Sequence, residues 1–165
     1  MPEDNVARQA PAPVHPGTTR WLDEEQQRVW RDWLKASATV DRVLDANLRA
    51  QGLGLGEYEV LIHLSEAPDR SLRMGALAKL VRASRSRMTH TVARLENLGM
   101  VERRPASHDR RGVMTHLTDT GHARLVEVAP LHLQAVRRVF IDAIDPADLS
   151  AVGRALRAVL GAVGD

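Results

Sequence analysis

The sequence predicts a mainly α-helical fold that carries one small β-hairpin, and three observations lead there. Apolar residues recur at steps of three and four over most of residues 21–163, the period of a helix with one buried stripe. The run Val113-Met114-Thr115-His116-Leu117 alternates instead, with Val113, Thr115 and Leu117 on one side, as a half-buried strand does. Gly and Pro punctuate the chain between these stretches, at Gly52, Gly54 and Gly56, at Pro68, and from Pro105 to Gly112.

Residues 1–20 hold four of the eight prolines and no apolar period, so they are expected to form a flexible arm. Trp21 to Gln51 then reads as one long amphipathic helix, with Leu22, Val29, Trp30, Trp33, Leu34, Val40, Val43, Leu44 and Leu48 on its stripe. The glycines at 52, 54 and 56 end it. Glu57 to Ala67 makes a second helix that buries Tyr58, Leu61, Ile62 and Leu64 and stops at Pro68. Met74 to Val81 is a helix of barely two turns, with Leu77, Ala78, Leu80 and Val81 inward. Ser84 suits an N-cap, and from Arg85 to Leu98 the residues Met88, Val92 and Leu95 form one stripe before Gly99 closes the helix.

Val101–Arg104 and Val113–Leu117 are expected to pair as a two-stranded hairpin whose turn, Pro105–Gly112, is basic. Thr118 or Asp119 caps a third long helix with Leu125, Val128, Leu131, Val136, Val139 and Phe140 on its apolar side, and Pro130 predicts a bend in it. Asp145-Pro146 is a cap followed by a favoured first helical residue, and the last helix is expected to bury Leu149, Val152, Leu156, Val159, Leu160 and Val163.

Composition removes several function classes. With 44% apolar and 27% charged residues the chain is an ordinary globular one, and no apolar run approaches the ~20 residues that cross a bilayer. The start Met1-Pro2-Glu3-Asp4 lacks the basic and apolar regions of a secretory signal, which predicts a cytoplasmic protein with no membrane partner. Cysteine is absent, which excludes disulfides, thiolate metal sites and cysteine nucleophiles. The formal net charge of +2 conceals an uneven distribution: residues 68–112 carry eleven Arg or Lys against four acids, while the remainder of the chain is net acidic. Such a block attracts a polyanion while the rest keeps the protein soluble.

A short helix, a turn, a helix with a small, hydroxylated and basic face, and a basic-tipped hairpin, in that order, make a winged helix-turn-helix, which lays its second helix in the major groove of DNA. The long helices outside it exceed what that module needs for a core and are expected to dimerise. The expected organisation is an N-terminal arm over 1–20, a helical dimerisation region over 21–56 and 119–165, and a DNA-binding lobe over 57–118.

Residues 72–121 contain Leu77-Ala78, Ser84-x-Ser86, Val92-x-x-Leu95-Glu96-x-x-Gly99-Met100-Val101, Arg103, Asp109-Arg110-Arg111-Gly112 and Leu117-Thr118-x-x-Gly121. By these motifs the stretch resembles the MarR (multiple antibiotic resistance regulator) family of transcription factors. The resemblance implies a homodimeric repressor or activator on a pseudo-palindromic operator, which a small aromatic or anionic effector releases. In the wing it further implies that Asp109 orients Arg111 for the minor groove by a charge-assisted bond, with Arg110 and Arg104 as phosphate partners.

Within the second helix of the module, Ser84 and Ser86 can donate hydroxyl and backbone N–H groups to phosphate at the helix N-terminus. Arg87 and Arg94 can take a phosphate or fork onto guanine, and Thr89 and His90 can reach base edges. Trp30, Trp33, Tyr58 and His63 are the candidates for rimming an effector pocket. His116, His122 and His132 lack the spacing of a metal site on one helical face, so neither a metal nor a cofactor is expected. A non-specific architectural nucleic-acid-binding protein is the alternative, and a hydrolase using Ser86, His90 and Asp109 is a remote one. No Gly-x-Ser-x-Gly elbow accompanies those residues, so no enzymatic activity is expected.

Overall fold

A computed structural model describes residues 19–106 and 109–163, with the side chains at 106 and 109–112 outside the description. The expected arm over 1–20 therefore lies almost wholly outside the described residues. The chain divides into two compact units, residues 1–36 and 37–165.

The described part of the first unit is the start of helix α1 (Glu24–Arg49). Its onset is a reciprocal cap: Asp23 Oδ1 accepts from the Gln26 N–H at 2.8 Å, and Gln26 Oε1 accepts from the Asp23 N–H at 3.2 Å. Two donors that helix geometry leaves unpaired are thereby satisfied. The apolar stripe here, Val29, Trp30, Trp33 and Leu34, is exposed.

In the second unit α1 ends at Arg49, and the chain turns through Gly52, whose φ of +79° is the left-handed conformation that glycine adopts freely. Helix α2 (Leu55–Glu66) follows, then strand β1 (Ser71–Arg73), helix α3 (Met74–Leu80), helix α4 (Arg85–Asn97), strands β2 (Val101–Ala106) and β3 (Asp109–Leu117), helix α5 (Asp119–Val136) and helix α6 (Leu149–Val163). The sheet is antiparallel in the order β1-β3-β2. Leu72 pairs with Thr115, and Thr115 pairs on its other side with Arg103. Pro105, which has no N–H to give a ladder, lies in β2, an edge strand of the sheet.

The core is made by the end of α1 and the loop after it, α2, α3, α4, α5 and the sheet: Leu48, Leu53, Val60, Leu61, Leu64, Leu77, Met88, Val92, Leu95, Val101, Leu117 and Val128 are all essentially inaccessible. Burying each such side chain contributes about 1.5–3 kcal/mol, so this cluster holds the module together without help from α6.

Three expectations need correction. The hairpin is a three-stranded sheet, because β1, only three residues long, pairs with β3 and is too short to show a period. The strands also run through most of the stretch expected as a turn, with a register shift between Pro105 and Ala106. Leu80 points outward rather than into the core, being 48% exposed at the last turn of α3. The third concerns α6, where Leu149, Val159, Leu160 and Val163 are exposed, Val152 and Leu156 are half-buried and no residue is fully buried, so the described residues leave most of its apolar stripe uncovered. Helix α5 runs from Asp119 to Val136 with Pro130 inside it, and a π-helical turn follows at Arg137–Ile141.

Candidate nucleic-acid interface

Helix α4 begins at Ser84, whose Oγ accepts from the Arg87 N–H at 3.2 Å. The cap fixes the start of the helix, and Met88, Val92 and Leu95, each at most 1% exposed, fix its rotation. That rotation sends Ser84, Arg85, Ser86, Arg87, Thr89 and His90 to solvent. Among the described residues, the side chains of Ser86 and His90 and the Arg87 guanidinium make no hydrogen bond or ion pair. The Thr89 hydroxyl donates to the Arg85 carbonyl at 2.9 Å, one turn back, so its methyl and its lone pairs remain presented outward.

Between α3, α4 and the sheet lies an open groove of about 1000 Å³. Met74, Met88 and Val113 supply apolar lining, and Arg73, Lys79, Arg82, Arg85 and Arg103 line it as well. These five cations were counted in the basic block but not singled out as site residues. Arg73 and Arg103 reach the groove only because the third strand and the sheet register bring them there. Arg82 occupies the turn between α3 and α4 at φ +51°, a left-handed conformation that costs a non-glycine residue about 1–2 kcal/mol. Arg103 is steadied from α4: its N–H donates to Glu96 at 3.2 Å, and its guanidinium approaches Glu96 at 3.5 Å and the Thr89 carbonyl at 3.4 Å.

The remaining candidates fall in different surroundings. Arg104 pairs with Glu102 on the same strand. Asp109, Arg110 and Arg111 belong to β3, but their side chains lie outside the described residues. Arg94 forms an ion pair with Glu57 of α2 at 2.7 Å. The helical wheel superimposes residues 87 and 94, but it ignores the rise of about 10 Å between them, and two turns along α4 the neighbour is α2.

Of the four candidate effector residues, two lie in each unit. Trp30 and Trp33 are about half exposed in the first unit. In the second, Tyr58 is buried and its ring lies 4.4 Å from that of His132 on α5, tilted by 47°. His63 is five residues further along α2 and takes no part in that contact. Burial raises the Tyr58 hydroxyl above its ordinary pKa and lowers that of His132, keeping both neutral. Sequence periodicity had no means of pairing Tyr58 with a residue 74 positions away. Among the described residues there is no group of three or more metal-ligating side chains, and no helix is long and apolar enough to cross a membrane.

Comparison with known proteins agrees with this arrangement. Residues 51–112 match the profile of the MarR family. AbsC, a MarR family transcriptional regulator from Streptomyces coelicolor, superimposes with a TM-score of 0.82 at 36% identity, covering 88% of this chain and 98% of its own. Sco3205, a MarR family regulator of the same organism solved in complex with DNA, gives 0.81 at 40% identity, covering 86% and 89%. The transcriptional repressor YetL of Bacillus subtilis (strain 168) is 26% identical over 125 residues, 76% of this chain and 75% of its own. With a winged helix-turn-helix of this form and relatives at this level over nearly the whole length, the chain belongs to the MarR family of transcriptional regulators.

Proposed function

We propose that the protein is a homodimeric repressor in the cytoplasm that grips double-stranded DNA at a pseudo-palindromic operator. The observation that carries this reading is the outward face of α4, where Ser84, Ser86, Arg87, Thr89 and His90 are exposed beside a groove lined by five cations. Ser84 and Ser86 are suited to a phosphate at the helix N-terminus, Arg87 to a phosphate or guanine, and Thr89 and His90 to base edges. The family resemblance adds Arg104 and Arg110 as phosphate partners and Arg111, oriented by Asp109, as the minor-groove contact.

The dimer is supported by what the single chain leaves uncovered. Leu131 and Leu133 of α5, and Leu149, Val159, Leu160 and Val163 of α6, are all exposed. A second copy would cover such a stripe, and it would set two α4 helices about one turn of DNA apart. A small aromatic or anionic effector that releases DNA belongs to the same reading. Its support within the second unit is His132 Nδ1, buried beside Tyr58 with no partner among the described residues, an opening for a ligand's hydroxyl or carboxylate.

Ser86 and His90 sit on an open convex face with no hydrogen bond between them, which supports base reading over hydrolysis. The experiment is selection of bound fragments from a random duplex pool by the full-length protein. A two-fold-related motif supports the proposal. Enrichment by length alone would instead favour an architectural DNA-binding protein.

A further inference from the structure

Arg94 lies on the helix proposed to read DNA, yet its guanidinium is committed elsewhere. Nη1 donates to Glu57 Oε1 at 2.7 Å and Nη2 to the Gly52 carbonyl at 3.3 Å. Glu57 is only 7% exposed, and its other oxygen accepts the Gly54 N–H at 2.7 Å. The segment that Arg94 grips is itself held rigidly. The N–H groups of Gln51 and Leu53 return to the Leu48 carbonyl at 2.8 and 3.1 Å, and Leu53 is sunk in the core. Asp45 accepts the Leu55 N–H at 3.0 Å, and that bond with the neighbouring Arg49 holds its carboxyl below the ordinary carboxylate range. Arg124 of α5 donates to the Gln51 carbonyl, so arginines from α4 and α5 meet two consecutive carbonyls of one loop.

We propose that Arg94 is a positioning residue: it sets the angle of α4 by clamping it to the 51–57 segment, and it makes no contact with DNA. The Nη1–Nη2 edge that could fork onto a guanine is already occupied. Releasing it would leave a buried carboxylate with one hydrogen bond, which is costly in a poorly solvated place. Because Arg124 holds the adjacent carbonyl, a displacement of α5 would reach α4 through the same loop. This inference rests on the DNA-binding reading above.

The test is the affinity of the full-length protein for its selected duplex, measured by fluorescence anisotropy over a series of salt concentrations. Arg94→Ala and Glu57→Ala are each expected to weaken binding about tenfold, as a 1.4 kcal/mol loss would. Both should leave the slope of log affinity against log salt at its wild-type value, and the double variant should be no weaker than either single one. Glu57→Ala is decisive in sign, since removing a negative charge would tighten binding if only electrostatics mattered.

Arg94→Lys and Glu57→Gln serve where an alanine variant fails to fold. Lysine cannot bridge Glu57 and Gly52 together, and an amide offers one acceptor oxygen where the carboxylate offers two, so both should weaken binding at an unchanged slope. A slope shallower by about 0.9 in either Arg94 variant would make Arg94 a phosphate contact and overturn the proposal. Undiminished affinity in the Glu57 variants would overturn it too. Wild-type protein that binds no duplex would overturn the DNA-binding reading itself, and that outcome is visible in the same titration before any variant is made.

Discussion

Gly121 of α5 sits so close beneath Met100 that a Cβ built on it would lie 2.0 Å from the Met100 carbonyl oxygen. The same carbonyl accepts from the Thr118 N–H at 3.1 Å and from the Thr118 hydroxyl at 3.0 Å, and that hydroxyl accepts the Gly121 N–H at 3.0 Å. The end of the wing, the start of α5 and the exit from α4 therefore meet on one backbone oxygen. Gly121→Ala is expected to destabilise the protein by about 3 kcal/mol, because backbone cannot yield as a side chain can. A thermal melt should show a drop of roughly 6–12 °C, and an unchanged melting temperature would show that the contact relaxes freely.

Gly75 is the opposite case. It lies in the first turn of α3, exposed, and a Cβ there meets nothing within 4 Å. Gly75→Ala should stabilise the protein by up to about 1 kcal/mol by lowering the conformational freedom of the unfolded chain. Denaturant titration with an unchanged m-value checks it, and a loss of stability would mean that α3 needs glycine for a reason the packing does not display.

These two glycines mark how far the sequence could be read. The position of α4 was legible because Ser84, the Met88–Val92–Leu95 stripe and Gly99 each fix one degree of freedom of a helix, and all three lie within sixteen residues. The winged helix-turn-helix followed from element order. What remained hidden was non-local: β1 is too short to have a period, the packing of Gly121 under Met100 joins separate elements, and Arg94 meets Glu57 only once α2 and α4 cross. The apolar stripe of α6 was legible as a stripe, yet periodicity marks only that a face seeks cover. It does not say whether the cover belongs to the same chain.

The Arg87 guanidinium makes no ion pair among the described residues where that of Arg94 is held by Glu57, so the two should separate in salt dependence. Arg87→Ala is expected to weaken duplex binding and to make the slope of log affinity against log salt shallower by about 0.9, as one lost phosphate contact does. An undiminished slope with lower affinity would move Arg87 from phosphate contact to base reading.

The His132 ring is kept neutral by burial, which lowers its pKa from the ordinary 6.5. As pH falls below 6.5 the unfolded chain takes up a proton that the folded one refuses, so stability falls until the folded pKa is passed and then levels. Glu59 acts in the opposite sense, since burial raises its pKa above the ordinary 4.5 and the folded chain gains a proton first. Comparing wild type with His132→Phe, which preserves a ring against Tyr58, isolates the histidine. Urea unfolding should show the wild type losing more stability than the variant as pH falls below 6.5, and parallel curves would contradict the burial.

Two copies of this chain are expected to present their α4 helices to neighbouring grooves of one duplex. Sedimentation of the full-length protein with its selected duplex, at total concentrations far above the dissociation constant, measures that stoichiometry directly. The complex should saturate at two chains per duplex and dissociate as salt is raised several-fold. A saturated complex with one chain per duplex, or no complex even in dilute buffer, would contradict that arrangement.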